Sequence, residues 1–586
     1  MRTLRAGLPR GSGSGKSSKR RKPGSVVRSI SRLHPRTWDE SDWLFALMVL
    51  AVTAAPVVAL VEALAKGWTP QGDDATIAIR AASVLDGAWP VSGMRSTSGA
   101  DDPALAAHHL GPIEFYILSL PLALSGGGSF GIALGCTASA ALCSTAVLTW
   151  TRRLAGELGV LLFGAATVVT QWAMSTQLLY RPLNPFFGML PVLLSLVTTW
   201  AVVQGHRRAW PMWVAATSVA AQANLAFVPL VASMVVFILI TWLVGLLRAT
   251  SKRTHLRDAL RARSIWIAAG LGCLLWLPVI VELIRNNPNN VQQLVAWVQS
   301  GAGTNTRTGL REAIRHVAIL APAPGGFRGY SFDFLTAGSP LARAIGGLVL
   351  LALTFVAFAP GKFPGRHAAR IPAQIAVVAN IALVATAALM PRYPNAPYWL
   401  AHWIPVATFT WSAVAMGGAA RWERISPALP SWPVARIGLG VAAVSVVLQT
   451  AGARPALENG SSNTTAAAIA VDNLGDGRGR SVRIHGLGFV PLLGTAPAVA
   501  FELQRNGWEP HYLLPWPFPE DAEHLWLDSD PAPTEKIIIV DSSEPDFNDG
   551  IPTNAQMMGR VEIGEKGRML TLYRVPGSSP EAKEGS

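Results

Sequence analysis

Residues 112–124, PIEFYILSLPLAL, decide how the rest of the chain is threaded. The run is apolar but about 13 residues long, whereas a helix needs about 20 to cross a hydrocarbon core of ~30 Å. If it crosses, the basic segments Arg152-Arg153, His206-Arg207-Arg208 and Arg248–Arg263 all fall outside the cell. If it lies flat, all three fall inside, together with Lys362/Arg366/Arg370 and Arg421/Arg424/Arg436. Short cytoplasmic loops carry the excess of Lys and Arg, so the flat arrangement is predicted.

Working outward, a first span is predicted at 44–64, and ten more near 130–151, 156–174, 186–204, 211–228, 229–248, 264–284, 342–360, 371–390, 404–420 and 436–453. The expected fold class is an α-helical polytopic membrane protein of about 11 transmembrane helices, N-terminus cytoplasmic, with a small extracytoplasmic α/β domain at the C-terminus. Residues 1–41 read as a disordered basic arm, 42–454 as the transmembrane domain with exterior loops 65–129 and 285–341, and 455–586 as the exterior domain. The expected location is the plasma membrane.

Composition supports this. Only 14% of the 586 residues are charged and mean hydropathy is +0.33, too little charge to cover a soluble fold. A net charge of +14 invites a nucleic-acid reading, but the charge is segregated: residues 455–586 carry −9 and the remainder +23. A basic membrane part and an acidic tail imply two environments and no nucleic-acid partner. Cys136, Cys143 and Cys273 all lie in apolar runs, so no disulfide framework or cysteine zinc site is available. In the tail, ENGSSNTTAAAIAVDN reads as a polar linker, SVRIHGL, EKIIIVDS and RMLTLYRV as strands, and TAPAVAFELQRNG as a helix stopped by Gly507.

The chemistry concentrates in the first exterior loop, GWTPQGDDATIAIRAASVLDGAWPVSGMRS (67–96), and the return AAHHLGPIEFY (106–116). Asp73-Asp74 open a helix a few residues beyond the first span, at membrane level. The plain alternative is a pair of acids favoured by a helix N-terminus.

These residues carry a resemblance. DDATIAIRAASVLDG (73–87) is similar to the helix openings of the arabinofuranosyltransferases of the GT-C superfamily, the multi-spanning glycosyltransferases that use polyprenyl-phosphate sugars. HHLGPIEFY (108–116), LLYRPLNP (178–185) and QANLAF (222–227) resemble segments of an actinobacterial branch of that superfamily, with Leu110 where the branch has Pro. The resemblance implies a GT-C-like membrane enzyme that moves a hexosyl or pentosyl unit from a polyprenyl-phosphate donor to an envelope glycan, lipid or protein acceptor. The resembling proteins carry an acid at the position matching Asp73.

An inverting transfer needs a base for the acceptor hydroxyl and cationic or hydrogen-bonding support for the departing phosphate. Asp73 is expected to be the base, with Asp74 orienting the acceptor or holding a cation. Donor-binding candidates are the cations Arg80, Arg181, Arg285 and Arg392, the imidazoles His108, His109 and His402, and the polar groups Glu114, Tyr116, Asn184 and Gln222. No metal ligand set is assigned, no cofactor is implied outright, and a divalent cation stays open. Two other classes compete: a lipid or polysaccharide transporter or flippase, which calls for ionisable groups in mid-span and an internal repeat, and a non-catalytic envelope assembly protein.

Overall fold

The computed structural model describes residues 40–96, 107–248, 261–300, 307–320, 340–358, 366–389, 401–425, 440, 460–488, 490–512, 533–541, 551–563 and 567–576. Apart from Glu40 and Ser41, which belong to the first helix, and Gly440, the basic arm, Arg392 and the expected span at 436–453 lie outside the described residues. The protein is mainly helical, with a five-stranded sheet near the C-terminus. Among the described residues six helices are long and apolar enough to cross a membrane.

Helix α1 (Glu40–Ala65) packs along α4 (Ser129–Tyr180), which is a helical hairpin. Its backbone leaves helical geometry at Ala155 and Gly156. Gln171 Nε2 donates to Ser144 Oγ at 3.0 Å, although a straight helix would hold positions 27 apart about 40 Å from each other. The turn thus realises the two spans expected at 130–151 and 156–174. Asp42, at the start of α1, pairs with Arg152, at the end of the first arm of α4, at 2.5 Å. The two run antiparallel, so Ala65 and Ser129 sit at the same end of the bundle.

This bears directly on residues 112–124. They form α3 (Ile113–Leu124), about 18 Å long at 1.5 Å per residue, too short to cross. Both its flanks belong to the one end where α1 stops and α4 starts. On this basis, in a cysteine-free background, Ser125→Cys and Asp476→Cys are expected to react with an impermeant thiol reagent on the same side of the membrane, and Gly205→Cys on the opposite one. Labelling of Ser125→Cys and Gly205→Cys from the same side would overturn the flat assignment.

The bundle continues through α5 (Met189–Val203), α6 (Trp210–Ala223), α7 (Val228–Arg248), α8 (Arg263–Arg285), α9 (Asn290–Gln299) and α10 (Gly309–Leu320). It closes with α11 (Pro340–Phe358), α12 (Arg366–Leu389) and α13 (Trp403–Ile425). The span expected at 211–228 is shorter than the sequence suggested: α6 ends at Ala223, and Asn224 turns extended (φ −151°, ψ 132°) before a short 3-10 turn and α7. The Asn224 side chain accepts from the Ala226 N–H at 2.9 Å, which stabilises the break. Non-helical backbone at the end of a span is tolerated where it borders a cavity, as it does here.

The C-terminal sheet has the order β2-β1-β3-β5-β4, from β1 (Ser481–Leu487), β2 (Glu509–Tyr512), β3 (Glu535–Asp541), β4 (Gln556–Ile563) and β5 (Arg568–Pro576). β1 is parallel to β2 and β3, while β5 is antiparallel to β3 and β4. The three expected strands and the helix stopped by Gly507, α15 (Ala496–Arg505), are present. The expected polar linker is instead α14 (Gly460–Leu474), which buries Ala466, Ala467 and Ala470. Its small apolar stripe was hidden among Ser, Thr and Asn.

One hydrophobic core joins this domain to the segment between α1 and α4. Ile77, Ile79 and Phe115 of that segment pack in the same cluster as Val499, Phe501, Ile537 and Leu570. The composition boundary at 455 separates stretches of chain, but the apolar core crosses it.

Candidate active site

Gly72 precedes α2 (Asp73–Leu85) with φ +54°, a left-handed backbone that suits glycine. α2 then starts on Asp73 and Asp74, both favoured by the helix dipole. Behind the first turn the helix is buried by Ala75, Ile77, Ala78, Ile79 and Ala81. Packed on several sides, the helix holds its two acids in fixed and different surroundings.

Asp73 is exposed to a cavity of about 350 Å³ that it lines together with Arg95, Ser96, His109, Asn184 and Asn224. The other walls are mostly apolar, among them Leu183, Leu225, Val228, Leu294, Trp297 and Leu389. Protein around the cavity strips water from Asp73, and this burial raises its carboxyl above the ordinary value; the neighbouring Asp74 adds to the rise and Arg181 opposes it.

Asp74 is fully buried and lies in different surroundings. Arg181 Nε donates to its Oδ2 at 2.5 Å, with both side chains withdrawn from solvent. Burial raises this carboxyl too, while the Arg181 charge and hydrogen bond pull the other way. Asp74, expected to orient the acceptor or hold a cation, is thus a tie between α2 and the LLYRPLNP turn, and it is not among the residues lining the cavity.

Residues 93–96 and 107–109 form a short antiparallel ribbon. His109 N–H donates to the Met94 carbonyl at 2.7 Å, Gly93 N–H to His109 at 3.1 Å, and Arg95 bridges His108. The ribbon brings Arg95 and His109 to the cavity wall. His109 Nδ1 accepts from the Leu225 N–H at 3.1 Å, which places the proton of the neutral ring on Nε2. Burial pushes its pKa down to about 3, with His108 adding, so this imidazole is a neutral donor near pH 7. His108 is held through its backbone: its N–H donates to Asn290 Oδ1 at 2.8 Å and its carbonyl accepts from Asn290 Nδ2. Glu282 in turn accepts from the Asn290 N–H at 2.7 Å, so it anchors α9 as a cavity wall.

The remaining candidates disperse. Gln222 donates to the Leu275 carbonyl at 2.9 Å and presses on Gly111, where a Cβ would come within 2.3 Å of Gln222 Oε1. That close approach explains the glycine in HHLGP. Arg80 stacks its guanidinium on Phe115 at 5.3 Å in the α2–α3 interface. Tyr116 donates to the Pro90 carbonyl at 2.9 Å, stapling α3 to the loop after α2. Glu114 is buried, and this together with the charge of Asp74 holds its carboxyl well above the ordinary range. His402 packs its ring on Phe227 at 4.7 Å behind the cavity wall, and its ring nitrogens make no hydrogen bond among the described residues. Arg285 is exposed at the end of α8. None of these six residues lines the cavity. Among the described residues no three His, Cys, Asp or Glu side chains are grouped to hold a metal ion.

Arg95 and Trp297 were not singled out from the sequence. Arg95 is one arginine of many until the ribbon pairs it with His108, and the stretch 97–106 between the two arms is longer than the two- to five-residue loops that signal a hairpin in sequence.

No protein-family profile and no curated protein sequence matches this chain. Its structure is similar to that of ArnT from Cupriavidus metallidurans in the apo state, at 15% identity and a TM-score of 0.38, over 85% of this chain and 97% of that one. It is also similar to a mutant of the mycobacterial arabinofuranosyltransferase AftD, at 15% identity and a TM-score of 0.37, over 90% of this chain. The match spans 42% of AftD, less than half its length. Superpositions this loose carry no weight in assigning an activity.

Proposed function

We propose that this integral membrane protein is a glycosyltransferase that moves a sugar from a polyprenyl-phosphate donor to a cell-envelope acceptor on the outer face, with inversion. The observation that carries the reading is the division of the cavity: Asp73, Arg95 and His109 on one part of the wall, and apolar side chains over most of the rest. A lipid-linked sugar phosphate needs both kinds of surface in one place.

In the proposed step Asp73 takes the proton of the acceptor hydroxyl while that oxygen bonds to the anomeric carbon. The bond from the anomeric carbon to the phosphate oxygen breaks, and polyprenyl phosphate leaves with the electron pair. Arg95 supplies positive charge to the leaving phosphate, and the Nε2–H of His109 supplies a hydrogen bond. Such preorganised groups act where charge develops. Leu225, Leu294, Trp297 and Leu389 would lie along the first isoprene units of the donor.

The base works only when ionised, so transfer falls as pH drops through the pKa of Asp73. Because burial raises that pKa, the acid limb of kcat is expected above the ordinary carboxylate range. The assay is sugar transfer in proteoliposomes from a panel of polyprenyl-phosphate pentoses and hexoses, followed across pH. An acid limb at the pKa of a free carboxylate would remove Asp73 from the role of desolvated base. Donor moved across the bilayer with its sugar bond intact would favour the transporter class instead.

A further inference from the structure

We propose that the C-terminal domain positions the base: Asn463, Gly494 and Thr495 clamp the turn that carries Asp73, so that transfer depends on a domain whose described residues do not line the cavity. The inference rests on the reading of Asp73 as the base, and it concerns how that carboxylate is held.

The clamp is a chain of hydrogen bonds. Thr495 Oγ1 donates to Asn463 Oδ1 at 2.7 Å, with both residues buried. Asn463 Nδ2 donates to Gln71 Oε1. The Gly72 N–H donates to the Gly494 carbonyl at 3.1 Å. The Asp74 N–H returns to the Gln71 carbonyl at 3.1 Å, which closes the first turn of α2 onto the clamped residues. A Cβ on Gly72 would meet the Leu493 carbonyl oxygen at 3.0 Å, so the two backbones approach as closely as glycine allows. The segment that makes these contacts, Pro491–Thr495, is a π-helical turn leading into α15.

Packing reinforces the polar contacts. Val499 and Phe501 of α15 share a core with Ile77 and Ile79 of α2. On the far side, Arg181 holds Asp74. The acidic turn is therefore gripped from the bundle through Asp74 and from the C-terminal domain through Gln71 and Gly72. Asp73 lies between the two grips, with its side chain left to the cavity.

Orientation of a base matters steeply, since a displacement near 1 Å costs up to about a hundredfold in rate. The test uses the full chain in nanodiscs with the variants Asn463→Leu, Thr495→Val and Thr495→Ser. Two quantities are read: kcat and KM for the best polyprenyl-phosphate sugar, and hydrogen exchange of the peptide covering 68–78. For Asn463→Leu and Thr495→Val, kcat is expected to fall roughly ten- to a hundredfold. Donor KM should stay within about twofold, because the donor walls are untouched. Exchange in 68–78 should rise, and Thr495→Ser should restore both readings by returning the hydroxyl.

Wild-type exchange in both disruptive variants overturns the proposal, whatever the activity. Raised exchange with an unchanged kcat also overturns it, since the turn would then be loosened without consequence. A joint collapse of kcat, KM and the thermal midpoint would mark the contacts as general stability and overturn the positioning role. If the wild-type chain transfers sugar from no donor, the glycosyltransferase reading fails by itself, and the positioning of a base fails with it; raised exchange would then report a structural clamp alone.

Discussion

Asp73→Asn is expected to lower sugar transfer by about 10²–10⁴-fold while leaving membrane insertion and the unfolding midpoint at wild-type values. Asparagine keeps the size of the side chain and removes its basicity. Asp73 has the cavity in front of it, so the neutral amide strands no buried counter-charge. The acid limb of the pH profile should vanish from whatever activity is left. Full activity in Asp73→Asn would reduce the carboxylate to a helix-dipole partner and remove the proposed mechanism. Asp74→Asn serves as the comparison: it weakens the tie to Arg181, so its loss should appear in stability as well as in rate.

Arg181→Met should have the largest effect on stability, about 3–5 kcal/mol, the usual consequence of leaving one member of a buried ion pair without its partner. Asp74 is fully buried, and its Oδ1 has no hydrogen-bond partner among the described residues even with Arg181 in place. Removing the guanidinium leaves a desolvated carboxylate that must either stay charged at high cost or take up a proton. The double variant Arg181→Met/Asp74→Leu should recover most of the loss, because an apolar pair of similar volume fills the same site. Arg181→Lys should not recover it fully, since an ammonium does not reproduce the guanidinium geometry. Unfolding in mixed detergent, followed by tryptophan fluorescence, reads all three. An unchanged midpoint for Arg181→Met would mean that the pair contributes nothing net.

The two acids illustrate how far a linear reading reaches. Adjacent aspartates at a helix start are distinguishable in sequence only by order. In the fold, a single residue step along the helix sends Asp74 towards the LLYRPLNP turn and leaves Asp73 facing a cavity, because helical neighbours point about 100° apart. The imidazoles separate for a similar reason: His109 meets Leu225 and the cavity, whereas His108 is braced through its backbone by Asn290. Polar candidates such as Arg80, Gln222 and His402 found partners or apolar cover away from the cavity, in stacking on Phe115, in a bond to Leu275 and against Phe227.

What the sequence determined by itself was everything governed by local period and by the cost of moving charge across a bilayer. The membrane class, the short apolar helix at 112–124, the two spans within Ser129–Tyr180 and the strands SVRIHGL, EKIIIVDS and RMLTLYRV all follow from run length and alternation, because each depends on residues near one another in the chain. Only the tertiary structure decided which side chains share the cavity, since Arg95, His109, Leu225 and Trp297 are joined through pairings whose partners are far apart in sequence. It alone also turned ENGSSNTTAAAIAVDN from a linker into α14, whose alanines are buried because a sheet lies beside them. The grip of Asn463 and Gly494 on the acidic turn has the same origin: a hydrogen bond between positions nearly 400 apart leaves no periodic trace, and only the closed core brings its two ends together.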